Sequence, residues 1–170
     1  MICDISTPGW GRLIFFETEE RQVAQAEFGT VASLPTLGNC WKVTFDLKPL
    51  VLEENTPWVN VQTRIDANGR EYCRVVLTST GSSATLISGE NGMSANHQLR
   101  IGEWNRIEIT HEKGEGGNFF ITLSVGEEEL VKLDVGILEQ EKFSDVQLLL
   151  GSGGHHSPAF TRRILVIEKS

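Results

Sequence analysis

Between Trp41 and Leu47 the apolar residues Trp41, Val43, Phe45 and Leu47 alternate with Lys42, Thr44 and Asp46. That period of two turns one face of a strand to a core and the other to water. Pro49 closes the run, because proline has no N–H to give to a ladder. The same signal recurs along the chain while helical periodicity is nearly absent. Arg12 to Thr18 is a β-rich run. Trp58 to Ile65 and the run beginning "EYCRVV" at Glu71 are predicted hairpin partners around "DANG", Asp66 to Gly69, since Asn and Gly tolerate positive φ. "SATLISG" follows as a further strand and ends in "GENG".

From Asn105 onward the pattern predicts a three-strand meander. Ile107, Ile109 and His111 share one face, "EKGEGG" supplies turn residues, and Phe119, Ile121, Leu123 and Val125 alternate with Phe120, Thr122 and Ser124. A second turn through "GEEE" leads to "LVKLDV". Phe143 to Gly151 is another strand, "SGGHHSPAF" a polar loop, and "TRRILVIEK" a last strand with Ile164 and Val166 inward. "GILEQEKF" is the one segment expected to make a short helical turn. Roughly a dozen strands at the spacing typical of sandwiches predict an all-β, two-sheet antiparallel β-sandwich, with residues 1–170 as a single domain.

Composition narrows the function classes. Fifteen Lys and Arg against 23 Asp and Glu give 170 residues a formal net charge of −8. A nucleic acid needs a basic stripe and is repelled by such a field, so it is not expected as a partner. The acids gather at Glu17, Glu19 and Glu20, at Glu127 to Glu129, and at Glu139 and Glu141, as solvated edges and loops do. No apolar run reaches the ~18 residues of a membrane helix, so no membrane insertion is expected. The N-terminal segment has no basic region or apolar stretch of leader length, which leaves a cytosolic chain or a removed leader. Cys3, Cys40 and Cys73 show no zinc spacing, and either one disulfide or three free thiols fits them.

The candidate chemistry is sparse. "DANGRE" offers Asp66 and Asn68 as the first two ligands of a calcium loop, but Arg70 stands where another oxygen belongs and no distant glutamate follows, so a hairpin turn is the first reading and calcium the alternative. "GSGGHHS" lacks the Lys-Ser/Thr of a phosphate loop. His155 and His156 are neighbours whose side chains diverge in an extended chain, which makes a two-histidine metal site awkward. No nucleophile has a visible base, and no enzyme is expected. Trp41 and Trp104 begin alternating runs and are expected to cap the core, whereas Trp10 and Trp58 follow proline-containing turns and are the candidates for an exposed indole.

The order of these pieces resembles the concanavalin A-like jelly-roll superfamily, with its laminin G-like, pentraxin-like and legume-lectin-like modules. "WKVTFDLKP" is similar to an early strand of such domains, "GEWNRIEIT" with "FFITLSVGEE" to their late hairpin, and "FSDVQLLLG" with "FTRRILVIE" to their last two strands, the last lying near the N-terminal strand. The stretch from Trp58 to Gly92 resembles the strand, glycine-bearing turn and paired strands between them. The likeness spans about Asn39 to Lys169. There are departures: the chain has no E-x-D-x-E run of a retaining glycosidase, and no H-x-N-P-R motif precedes the Trp-Gly pair at Trp10.

The resemblance implies a non-catalytic recognition module that binds a glycan on its loops or concave face, as part of a larger extracellular or surface protein. The alternative is a protein-interaction or assembly domain whose acidic surface meets a basic partner; an unrecognised polysaccharide hydrolase or lyase comes third. It places Trp58, Asn60, Arg64, Asp66, Asn68, Arg70 and Tyr72 together near one end of the sandwich, with His155 and His156 reaching the same rim.

Overall fold

The computed structural model describes residues 10–25, 28–50, 60–78, 83–140, 142–152 and 159–169. Fourteen strands are seen among them: β1 (Arg12–Glu17), β2 (Arg21–Gln22), β3 (Ala24–Gln25), β4 (Phe28–Gly38), β5 (Trp41–Pro49), β6 (Asn60–Ala67), β7 (Arg70–Thr78), β8 (Ser83–Ser88), β9 (Asn91–Asn96), β10 (Asn105–Lys113), β11 (Phe119–Val125), β12 (Glu128–Gly136), β13 (Lys142–Ser152) and β14 (Ala159–Glu168). They form two facing sheets. The first runs β1-β14-β5-β10-β11-β12, with β2 also on β14; the second runs β3-β13-β6-β7-β8-β9, with β4 also on β13. All pairs are antiparallel except the two-residue contact of β3 with β13. The expected two-sheet sandwich is what the chain forms, and the last strand does close against the first through β1 and β14.

Side-chain alternation explains the packing. In β5, β10 and β11 the inward positions Phe45, Leu47, Ile107, Ile109, Ile121 and Leu123 are all fully buried. They meet Val61, Ile65, Val75, Leu77, Ala84 and Leu86 from the second sheet in one apolar cluster. The expected meander forms, with β10 and β12 each reaching two residues into the expected turns, to Lys113 and from Glu128, and Asn68 (φ 55°) with Gly69 (φ 81°) makes the two-residue turn between Ala67 and Arg70. Positive φ at both positions is the geometry that an Asn-Gly pair favours.

Three details differ from the sequence pattern. Residues 137–140 are irregular rather than helical, and the helical turn lies instead at Glu115–Gly117. Trp104 does not cap the core; it lies half-buried on the outer face of the first sheet, because Asn105, the first residue of β10, takes the inward position. Trp10 is buried rather than exposed, with the ammonium groups of Lys42 and Lys169 over its ring at 4.9 and 5.0 Å. Lys42 points outward from β5, so the ring is buried against the outer side of the first sheet and not in the core cluster. Cys40 and Cys73 are free thiols, and Cys3 lies outside the described residues. Burial pushes the Cys73 thiol well above its ordinary range, which leaves it a small core residue rather than a nucleophile.

The centre of one end of the sandwich is His111. It is fully buried and stacked between Trp41, at 5.1 Å, and Phe119, at 5.2 Å. Its Nδ1 lies 2.5 Å from the Asn39 carbonyl oxygen. A carbonyl only accepts, so Nδ1 carries the proton and Nε2 is the acceptor for the Tyr72 hydroxyl at 2.8 Å. The neutral imidazole satisfies both ring nitrogens; a charged one would turn the Tyr72 bond around, with Nε2 as the donor, and bury a cation in the core.

Burial accordingly lowers the His111 pKa from 6.5 to about 4, with the Asn39 hydrogen bond opposing the shift. The unfolded chain binds the proton first. His111 therefore contributes stability in full above pH 6.5, and the contribution is lost as pH falls toward 4, by about 3 kcal/mol. The melting temperature is expected to drop between pH 7 and pH 4 more steeply in the natural chain than in His111→Phe, which starts lower but lacks the titration. Parallel slopes for the two would refute the assignment.

Candidate functional site

Antiparallel pairing in β6 and β7 breaks once. Ile65 opposes Cys73 but Asp66 opposes Glu71, so Tyr72 is the extra residue of a β-bulge. The bulge turns Tyr72 away from the alternation of its strand and toward the interior, where its ring meets Phe143 at 4.8 Å and its hydroxyl meets His111. Glu71 and Arg74 then fall on the outer face.

That face carries an ion-pair network. Arg64 Nε and Nη2 donate to the two oxygens of Asp66 at 2.6 and 2.8 Å, and Arg74 donates to Glu71, with Nε and Nη2 at 2.8 and 2.6 Å. Arg64 is held above its ordinary pKa first by the Asp66 hydrogen bond. The Phe28 ring lies 5.4 and 5.2 Å from the guanidinium carbons of Arg64 and Arg74. Planar groups paired in this way keep their orientation, so Glu71 is a pre-set acceptor rather than a floppy side chain.

Beside Glu71 opens a cleft of about 370 Å³, at the end of the sandwich where the β6–β7 and β8–β9 turns meet the end of β12. Tyr72, Val135 and Leu138 give it an apolar wall; Arg70, Glu71, Glu90 and Asn91 give it polar edges. Ser88 fixes the rim by donating its hydroxyl to the Tyr72 carbonyl at 2.8 Å. The cleft is open to solvent, and its volume lies at the lower end of the range of small-ligand clefts.

The structure brings Arg70 and Tyr72 together at the cleft and sets Arg64 and Asp66 on the adjoining face. Asn68 is turned elsewhere: its Oδ1 accepts from the Ser144 amide at 3.1 Å and its own amide donates to the Ser144 carbonyl, which ties the turn to β13. Trp58, His155 and His156, and the side chain of Asn60, lie outside the described residues. Glu71, Glu90, Asn91 and the wall residues Val135 and Leu138 were missed by sequence reasoning. Glu71 falls within "DANGRE", whereas Leu138 falls in the segment expected to make a helical turn and Glu90 and Asn91 in the "GENG" that ends a strand.

A calcium site at Asp66 and Asn68 finds little support in this geometry. The Asp66 carboxylate is engaged by a guanidinium, the Asn68 oxygen by a backbone amide, and no group of three or more His, Cys, Asp or Glu is placed to hold a metal among the described residues. Millimolar calcium is expected to leave the melting temperature unchanged relative to chelator; a rise with calcium would return Asp66 to the ligand set.

No family model matches the chain, and no curated protein matches it. Solved structures do, at low identity. A protein of unknown function with a galectin-like fold from Bacillus subtilis is 9% identical with a TM-score of 0.59, over 94% of this chain and 97% of that one. An endo-beta-1,4-glucuronan lyase from the fungus Trichoderma reesei is 9% identical with a TM-score of 0.59, over 92% and 96%. A carbohydrate-binding module from Bacillus subtilis is 9% identical with a TM-score of 0.54, over 89% and 97%. The receptor-binding domain of botulinum neurotoxin type G gives 11% and 0.56, and the chain spans 42% of its length. These likenesses establish a galectin-like β-sandwich, and at such identities they establish the fold alone.

Proposed function

We propose that the chain is a non-catalytic recognition module, a single sandwich domain of the concanavalin A-like group, and that it binds a glycan in the cleft beside Tyr72. The observation that carries the reading is the pairing of an apolar wall, Tyr72 with Val135 and Leu138, against the polar edge of Arg70, Glu71, Glu90 and Asn91. A pyranose has the matching amphipathy: its C–H face packs on carbon while its hydroxyls both donate and accept. Glu71 accepts, Arg70 donates and Asn91 does both. The carbohydrate-binding module among the structural neighbours supports this use of the fold without assigning it. An extracellular or surface location within a larger protein fits the same reading.

A catalytic alternative draws on the lyase among the neighbours. Its obvious pair here, Tyr72 and His111, is poorly suited to it: His111 is sealed between two aromatic rings, and burial drives the Tyr72 hydroxyl pKa up rather than down. A protein partner has one specific observation in its favour. Ile137, next to Leu138 at the cleft's lip, is 73% exposed.

The test is a screen of the purified chain against neutral and acidic oligosaccharides, followed by calorimetry on any hit. Saturable binding is expected, weakened about tenfold by Arg70→Ala and by Asn91→Ala without loss of melting temperature. No binding across the panel, or binding indifferent to both variants, would remove the glycan reading from this cleft. Retained binding of a protein partner that is lost in Ile137→Asp would replace it.

A further inference from the structure

The outer face of the first sheet reverses the character of the chain. On a molecule of formal net charge −8, the outward positions of β5, β10 and β14 gather Arg106, Arg162 and Arg163 around one carboxylate, Asp46, and add Lys48 over the neighbouring Trp104 ring. That carboxylate is 8% exposed. Arg106 Nη1 and Arg162 Nε donate to its two oxygens at 3.2 Å each, and Arg163 Nη1 lies 4.0 Å away. Arg162 and Lys48 also sit over the half-buried Trp104 ring, at 4.0 and 4.8 Å from its centroid, and Lys48 lies 5.8 Å from that of Phe160.

One guanidinium satisfies a shielded carboxylate; three leave a surplus of positive charge in one place. The backbone is bent to maintain it. Pairing of β14 with β5 slips between Arg162 and Leu165, and Arg163 takes φ 53° within that bulge. Left-handed backbone is unfavourable for a side chain such as arginine, and glycine is the residue that adopts it freely. The bulge brings two consecutive arginines toward the same carboxylate, where regular alternation would send the second into the core. Arg106 and Arg163 are 43% and 60% exposed, so their free donors face solvent. Trp104 is held in place from below: the inward Asn105 side chain donates to the carbonyls of Leu47, Arg100 and Glu103 and accepts from the Arg100 amide.

We propose that this face is a second binding surface, separate from the cleft, for a short anionic saccharide carrying carboxylate or sulfate groups. The clustered guanidiniums match such groups in charge and in fork geometry. The adjoining Trp104 and Phe160 rings supply the apolar contact that a sugar offers and a bare phosphate lacks. The acids elsewhere on the chain disfavour a long polyanion such as duplex nucleic acid, which would extend beyond the patch.

Calorimetry with a galacturonate hexasaccharide and a heparin hexasaccharide tests the proposal and separates carboxylate from sulfate, with maltohexaose and inorganic sulfate as controls. Saturable binding of at least one acidic probe is expected, falling with salt, and stronger than that of either control. Arg163→Gly is the informative variant. It relieves the backbone strain, so the melting temperature should hold or rise while affinity falls about tenfold and the salt dependence flattens by about one cation. Arg106→Gln should weaken binding similarly, and Arg70→Ala in the cleft should leave it unchanged. Absence of binding by both acidic probes, equal affinity in Arg163→Gly, or preferential binding of polyglutamate or duplex DNA would overturn the proposal.

Discussion

The hydrogen bond from the Tyr72 hydroxyl to His111 Nε2 crosses from one sheet to the other and settles the end of the sandwich that carries the cleft. Its direction is not free. The Asn39 carbonyl requires a proton on Nδ1, so in the neutral imidazole that burial favours, Nε2 accepts and Tyr72 donates. To reach His111, Tyr72 leaves the alternation of β7 at a bulge, and that bulge puts Glu71 on the outer face beside Arg74. A buried imidazole thus sets both the apolar wall of the cleft and the orientation of its nearest carboxylate.

The two outer faces use opposite electrostatic arrangements. On the second sheet Arg64 and Asp66, and Arg74 and Glu71, pair nearly one to one, so the network fixes geometry while adding little net charge. On the first sheet three arginines share Asp46, so charge remains available. Partly exposed pairs of either kind contribute little to folding, about 0–1 kcal/mol each. Their value lies in pre-organisation: a ligand meeting side chains already in place loses less entropy on binding.

The core was legible in the sequence because period-two alternation is a direct record of which side of a sheet is dry. Phe45, Ile109, Ile121, Leu123, Ile164 and Val166 all face inward as the pattern requires, and the Asn68-Gly69 turn follows from backbone chemistry alone. The misreadings occur where local signals are outweighed by tertiary ones. Trp104 starts an alternating run, yet the hydrogen-bonding capacity of Asn105 claims the inward position and turns the indole out. The bulges at Tyr72 and Arg163, two of several among the described strands, each shift a residue off the alternation by one, and no period reveals them. The cleft unites residues 70–72, 88–91, 135 and 138, so the sequence showed one of its walls and hid the others.

The most direct test of the account is a ¹H–¹⁵N NMR titration of the assigned chain with neutral oligosaccharides of two to six units. Binding in the cleft predicts shifts confined to residues 70–72, 88–91 and 135–138, with the outer face of the first sheet silent. Shifts centred elsewhere, or no saturable shift with any oligosaccharide, would contradict the assignment of the cleft as the recognition site.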